Sequence, residues 1–194
     1  MINIRQKSLP QMSAWLPELF EALDDILFEC AEKEPSSEQQ VELFEVMRSL
    51  RLQKTRISQQ FSNYLSNQFI AMTPAKIEDS IPESIEGISL SYCNLFPNML
   101  SHLCQRFNHV VGSDVFSVES MPLGSMSLLN AFSQSIATLK LSPKVDTVLL
   151  QHFYRQIMCR MRPILLEANQ ALIEADVLPD LKTQAESSPH NWAK

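Results

Sequence analysis

The sequence predicts an all-α protein of about five helices, two of them long, arranged as an irregular helical bundle. Three observations carry that expectation. Only three glycines, Gly87, Gly112 and Gly124, occur in 194 residues. Leu, Gln, Glu, Met and Ala fill long runs in which apolar residues recur every three or four positions, which is helical periodicity. The 11 prolines fall between these runs more often than inside them, so they read as breaks between helices.

The first run lies before Pro35. Leu16, Phe20, Leu23, Leu27 and Cys30 form one stripe on a helix of about residues 14–33, whose outer face is acidic through Glu18, Glu21, Asp24, Asp25 and Glu29. Ser37 followed by Gln40 resembles a capping box, and it opens a second helix that continues to about Ala71, before Thr73-Pro74. Val41, Phe44, Ile57, Phe61, Leu65 and Phe69 mark its buried side. From Pro74 to about Gly87 the chain is rich in Ser, Glu and Ile and punctuated by Pro82, the composition of a loop with at most short helical pieces.

A third helix carries Phe96, Met99 or Leu100, Leu103, Phe107 and Val110, and Gly112-Ser113-Asp114 ends it. Val115-Phe116-Ser117-Val118 alternates like a short extended piece, without an evident partner strand. Pro122-Leu123-Gly124-Ser125 turns the chain into a helix bearing Leu128, Leu129, Phe132 and Ile136. Ser142-Pro143 then pairs an N-cap with a proline at the first helical position and starts the last long helix, to about Ala175. Leu149, Phe153, Ile157, Met161, Ile164, Ala168 and Leu172 are its core side, and Pro163 in its interior predicts a kink. Residues 1–179 are thus expected to form a single domain, followed by a polar tail over 180–194, expected to be disordered, with Trp192 its one large apolar residue.

Composition narrows the function classes. Glycine-rich phosphate loops need residues without a Cβ at fixed offsets, and three scattered glycines build none. A net charge of −6 opposes general coating of nucleic acid or anionic membrane, so any anion site must be local. No apolar run approaches the roughly 18 to 20 residues of a bilayer span, and Met1-Ile2-Asn3-Ile4-Arg5-Gln6-Lys7 has no apolar signal core behind its charges. A cytoplasmic protein is expected. Cys30, Cys93, Cys104 and Cys159 are dispersed without C-x-x-C spacing, as suits reduced thiols.

Met47-Arg48 and Leu50-Arg51 followed by Phe61, then Gln105-Arg106, Pro122-Leu123-Gly124, Ala131-Phe132, Phe153, Asn169, Leu172 and Val177-Leu178-Pro179 occur in an order that resembles the proteobacterial domain-of-unknown-function family 1631. The resemblance covers about residues 16–181. It implies an N-terminal module of proteins that are usually several times longer. Some members are labelled thymidine phosphorylase, a label with no motif that can be placed here. Asp176 stands where the family pattern has glycine, and aspartate also adopts a left-handed helix cap. The resemblance brings no catalytic residues with it.

The strongest local charge feature is Arg48, Arg51, Lys54 and Arg56, four cations within nine residues that contain no acid. Arg48, Arg51 and Lys54 step three residues at a time, so their ends converge on one side of a helix and suit a protein partner's acidic face or a small anionic ligand. The plainer reading is a solvated face pairing with the acidic first helix. Neighbouring aromatics that would stack bases are lacking, which disfavours nucleic acid. A second constellation, His152, Arg155, Cys159 and Arg162, has the 3, 4, 3 spacing of one helix face, on which a thiolate near cations is chemically sensible. His102, Cys104 and His109 do not point together, and Asp24-Asp25 and Glu78-Asp79 lack an apolar pocket to split their pKa values. No metal, cofactor or catalytic set is therefore expected.

A length mismatch points to association. A continuous helix over 37–71 reaches about 52 Å, whereas a chain of this size packed as a sphere has a diameter of about 42 Å. Either the helix breaks near the arginines, or its end projects and exposes Phe61, Leu65 or Phe69 to a second subunit, another protein or the remainder of a longer family member. The functional expectation is a non-enzymatic protein-interaction or regulatory module. The alternative is a nucleotide-sensing signalling module that binds its ligand through the arginine-rich helix, and an enzyme comes third.

Overall fold

A computed structural model describes residues 2–75 and 83–181. Among these the chain is all-helical, with no strand: α1 (Ile2–Lys33), α2 (Ser37–Ala71), α3 (Glu83–Leu95), α4 (Pro97–Val111), α5 (Ser125–Ile136), α6 (Pro143–Gln156) and α7 (Arg162–Glu174), with single 3-10 turns at Ala137–Leu139 and Met158–Arg160. The all-α class holds, with seven α-helices among the described residues where the sequence predicts about five. No helix among the described residues is long and apolar enough to cross a membrane.

The first helix begins at Ile2 rather than near residue 14 and runs through Pro10 and Pro17. Both prolines are exposed, so the carbonyls they leave unpaired face water, where the loss is small. The opposite side buries Ile4, Met12, Leu16, Leu19, Leu23, Leu27 and Ala31. A stripe eight turns long outweighs two missing hydrogen bonds. Ser36, one residue earlier than expected, caps α2 by accepting from Gln39 N at 3.4 Å, while Gln40 Nε2 reaches back to Ala31 O at 2.9 Å. The two helices form an antiparallel hairpin held by Ser13–Ser62 (3.0 Å) at one level and Asp24–Arg51 at another.

Helix α2 is continuous over its 35 residues, yet Phe61, Leu65 and Phe69 are 1%, 0% and 3% exposed. The expected projection does not occur. Because α1 is nearly as long, the domain is built along the hairpin rather than around a sphere, and the later helices cover its inner side. Phe61 sits edge-on to Phe153 of α6 (5.6 Å), which stacks on Phe132 of α5 (4.3 Å, 7° between planes), and Phe69 meets Phe107 of α4. Conversely Val41 and Phe44, expected inside, are 55% and 43% exposed. Leu43, Val46, Met47 and Leu50 fill that part of the inner face instead.

The remaining differences have proline at their centre. Pro97 starts α4 at its first position and so divides the run before Val111 into α3 and α4. Of the expected loop over 74–87, residues 76–82 lie outside the described ones, and 83–87 are the first turns of α3. The last long helix is broken rather than kinked: Met158–Arg160 tightens to 3-10, and Pro163 falls in the first turn of α7, where no donor is needed. Its predicted core residues Leu149, Phe153, Ile157, Met161, Ile164, Ala168 and Leu172 are nevertheless all buried. Most of the expected tail, residues 182–194, and the pair Glu78-Asp79 lie outside the described residues.

The extended piece after Gly112 pairs with a side chain instead of a strand. Asn108 accepts from Phe116 N (2.9 Å) and donates to Phe116 O (3.0 Å), imitating a ladder partner. The Pro122-Leu123-Gly124 turn then enters α5, nine of whose 12 residues are buried. Leu123 takes φ +71°, and its carbonyl accepts from the buried Tyr92 hydroxyl at 3.0 Å. A Cβ at Gly124 would overlap the carbonyl oxygens of Glu119 and Val118, so this close approach requires glycine.

Candidate functional site

The arginine-rich stretch lies on the outside of α2, and Arg48, Arg51, Lys54 and Arg56 are all exposed. Helical geometry splits them into two groups. Arg51 turns toward α1 and grips Asp24 with both prongs of its guanidinium, Nε to Oδ1 and Nη2 to Oδ2, each at 2.6 Å. The hydrogen bonds and charge of Asp24 raise the Arg51 pKa further above its ordinary value. Lys54 lies beside it on a cleft of about 410 Å³ whose other charged walls are Glu21, Asp24 and Asp25. Three carboxylates against two cations make that cleft a poor host for a phosphate. The pairing with the acidic first helix is thus real for Arg51, and the three-residue convergence on an anion is not formed.

Arg48 and Arg56 belong to the second group, on the face turned away from the core, and they make no ion pair among the described residues. Leu52, one turn from each, is 75% exposed. Val41 and Phe44 continue this face toward the start of α2, and Phe44 meets the half-exposed Phe28 of α1 in an edge-on contact of 6.4 Å. Glu38 and Glu45 are exposed among them. The outer face of α2 is therefore apolar along its length, acidic in its first part and basic in its second.

The second sequence constellation is divided among three elements. The break between α6 and α7 places His152 on α6, Cys159 in the 3-10 turn and Arg162 at the start of α7. His152 Nδ1 lies 3.0 Å from Val148 O of its own helix, and Arg155, Cys159 and Arg162 are separately exposed. Their neighbour Arg160 pairs with Glu18 (2.5 Å) and lies over the Trp15 ring at 5.0 Å, tying the turn to α1. Burial pushes the Cys104 thiol up to about 11 and also raises Cys93. Neither is held as a thiolate near neutral pH.

Two features escaped the sequence reading. Arg106 is 2% exposed without a carboxylate partner. Its Nη1 donates to Asn169 Oδ1 (2.5 Å), Nε to Val177 O (3.2 Å) and Nη2 to Leu178 O (3.2 Å), while Asn169 Nδ2 donates to Leu165 O (2.9 Å) and Met99 O (3.0 Å). Burial lowers the Arg106 pKa, and three oxygen acceptors compensate the desolvated charge. The signal was its register: Arg106 follows Leu103 by three on the apolar side of α4, where a charge must find partners. The other feature is a groove of about 800 Å³ between the α1–α2 link and the start of α6, lined by Leu43, Val145, Val148 and Cys30 below the Glu34–Lys144 ion pair (2.7 Å).

The residues that carried the family resemblance meet in these networks. Arg106, Asn169 and Val177-Leu178 form the buried arginine cluster, Leu123-Gly124 the turn under Tyr92, and Phe61, Phe132 and Phe153 the aromatic stack. Asp176 adopts φ +60° and donates to Ile173 O (2.9 Å), the left-handed cap expected of a glycine replacement. No curated protein and no solved structure matches the chain. The family model described as "Protein of unknown function (DUF1631) N-terminal domain" matches residues 1–91 and 84–176, and the chain therefore belongs to the DUF1631 family.

Proposed function

We propose that this domain is a non-enzymatic protein-interaction or regulatory module whose contact surface is the outer face of α2. The observation that supports this reading most is Leu52, three-quarters exposed and flanked one turn away on each side by the unpaired Arg48 and Arg56. An exposed leucine alone is ordinary, but one bracketed by free cations and continued by Val41 and the Phe44–Phe28 pair has the apolar centre and charged rim of a docking face. Several side chains that could carry chemistry are engaged internally. Ser89, Ser125 and Ser127 are buried and hydrogen-bonded, two thiols are kept protonated, and the first arginine partner is an internal aspartate. The same reading places the domain in the cytoplasm, with its four cysteines free.

Affinity capture from native extract, comparing the wild-type chain with Leu52→Glu, tests the proposal. A specific protein retained by the wild type and lost with Leu52→Glu, while the helical spectrum is unchanged, is the expected result. Retention that is indifferent to Leu52 and Arg48 would remove this face from consideration. Nucleotides are expected to leave the melting temperature unchanged, because Asp24 already occupies Arg51.

A further inference from the structure

The charges on the outer face of α2 are ordered as well as exposed. Glu38 and Glu45 lie in its first part and Arg48 and Arg56 in its second, and all four side chains are open to solvent. Val41 and Leu52, 55% and 75% exposed, occupy the middle of the same face. An antiparallel copy of this helix would set Val41 against Leu52, Glu45 against Arg48 and Glu38 against Arg56. These three pairs share one midpoint, at Val46–Met47 to within half a residue. Each pair repeats on the other side of that midpoint with the roles exchanged, which is what a two-fold isologous contact requires.

We propose that the outer face of α2 is a homodimer interface in which two copies pair antiparallel about a two-fold axis at the level of Val46 and Met47. The proposal rests on the reading that this face binds protein, and it names the partner as a second copy of the chain. Helical angles support the pairing: Glu38 and Arg56 fall on one flank, Val41 and Leu52 on the central seam, and antiparallel helices bring like flanks together. An axis centred on Leu52 would oppose Arg48 to Arg56 and is disfavoured, so charge order selects the register. Phe44, steadied by Phe28, then lies level with Arg48 of the other copy, within reach of a cation–π contact.

The strip between Glu38 and Arg56 is about 27 Å long and roughly one helix wide. That is less than the roughly 800 Å² per partner of a standard stable interface. The pair is accordingly a concentration-dependent one.

Sedimentation or light scattering of the full chain tests this across about 1 to 500 μM, the range that brackets weak association. The expected result is a mass that rises from 22.1 kDa toward twice that value. Arg48→Glu gives each copy two carboxylates at the central pair, Glu45→Arg gives it two cations, and each change is expected to weaken self-association by about tenfold or more. Mixed in equal amounts, the two variants complement one another and the heavier species returns, as it does in the chain carrying both changes. Circular dichroism confirms that each variant is folded, as exposed sites allow. A wild type that stays at 22.1 kDa throughout, or a mixture no heavier than its parts, overturns the pairing. If the pairing fails while Leu52→Glu still abolishes capture of another protein, the surface stands and only its occupant is wrong. If Leu52→Glu alters neither, both readings fall.

Discussion

Replacing Arg106 by methionine tests whether a charge without an acid can be a structural support. Methionine has comparable length and no donor, so Arg106→Met fills much of the space while leaving Asn169 Oδ1, Val177 O and Leu178 O without the hydrogens they now receive. Each buried acceptor left unsatisfied costs about 1 to 3 kcal/mol. Two considerations reduce the total. The desolvation of the guanidinium is relieved, and the carbonyls of Val177 and Leu178, both only half-buried, gain access to water when their segment loosens. A net loss of about 2 to 4 kcal/mol is therefore expected. At this chain length that corresponds to a melting temperature lower by roughly 4 to 16 °C.

The assay is urea unfolding of Arg106→Met, Asn169→Leu and the double variant. Asn169→Leu strands one charged donor and the carbonyl of Met99, for a loss of similar size. Because the two side chains share one bond, the double variant should be less destabilised than the sum, by about 1 to 3 kcal/mol. Hydrogen exchange should report faster opening near Val177 in Arg106→Met, since two of the bonds holding that segment are gone. A loss below about 0.5 kcal/mol, or strict additivity, would show that the cluster does not act as a unit.

Phe153→Ala removes the ring between Phe132 and Phe61 and is expected to cost about 3 to 5 kcal/mol, read as a lower urea midpoint with an unchanged slope. Gly124→Ala drives a methyl group into the carbonyls of Glu119 and Val118 and should destabilise by about 2 kcal/mol or more. Gly87→Ala, exposed inside α3 with no atom within 4 Å of the added Cβ, should stabilise by about 0.5 to 1 kcal/mol, so opposite signs in thermal melts check the local geometry. Lys144 holds the Glu34 carboxyl below its usual range, by hydrogen bond first. A depressed carboxylate pKa contributes stability above its unfolded value that is lost as pH falls through the folded one. Glu34 in turn raises the Lys144 pKa, which contributes stability that is lost as pH rises through the folded value, so Lys144→Ala should flatten both the acid and the alkaline limb of the stability curve, and an unchanged acid limb would sink the assignment.

The helical class and most of the core were legible because a buried helix face imposes its period on the sequence wherever it lies. The stripe from Leu149 to Leu172 kept its phase even across the break at Met158–Arg160. Boundaries were less legible. The sequence places the start of α1 near residue 14 instead of at Ile2, because local sequence does not reveal that the side of the helix bearing Pro10 and Pro17 faces solvent. The placement of Val41 and Phe44 failed for a related reason. Carrying the phase of Ile57, Phe61, Leu65 and Phe69 backward ignores the competing set Leu43, Val46, Met47 and Leu50, which is the one buried on the inner face. The site residues were least legible, since local sequence does not show that the last helix divides between His152 and Cys159. Arg51 and Asp24 were legible as a charge pattern, but no pattern says which arginine is spent internally.

Once α2 is placed, its surface can be divided by what each part already touches. One side, from Leu43 to Phe69, closes the core. The flank toward α1 is committed through Asp24–Arg51 and Ser13–Ser62. What remains is the strip bearing Glu38, Val41, Phe44, Glu45, Arg48, Leu52 and Arg56, for which folding requires neither the exposed apolar groups nor the free cations. A helix face selected only for solubility would be expected to mix its charges and shed its apolar side chains. Here the acids and bases are segregated about a single level of the helix, with apolar residues on each side of it, and that order matches the antiparallel pairing proposed above. The arginine cluster that the sequence displays as one feature thus separates into a fold-making half, Arg51 and its aspartate, and a half left facing outward.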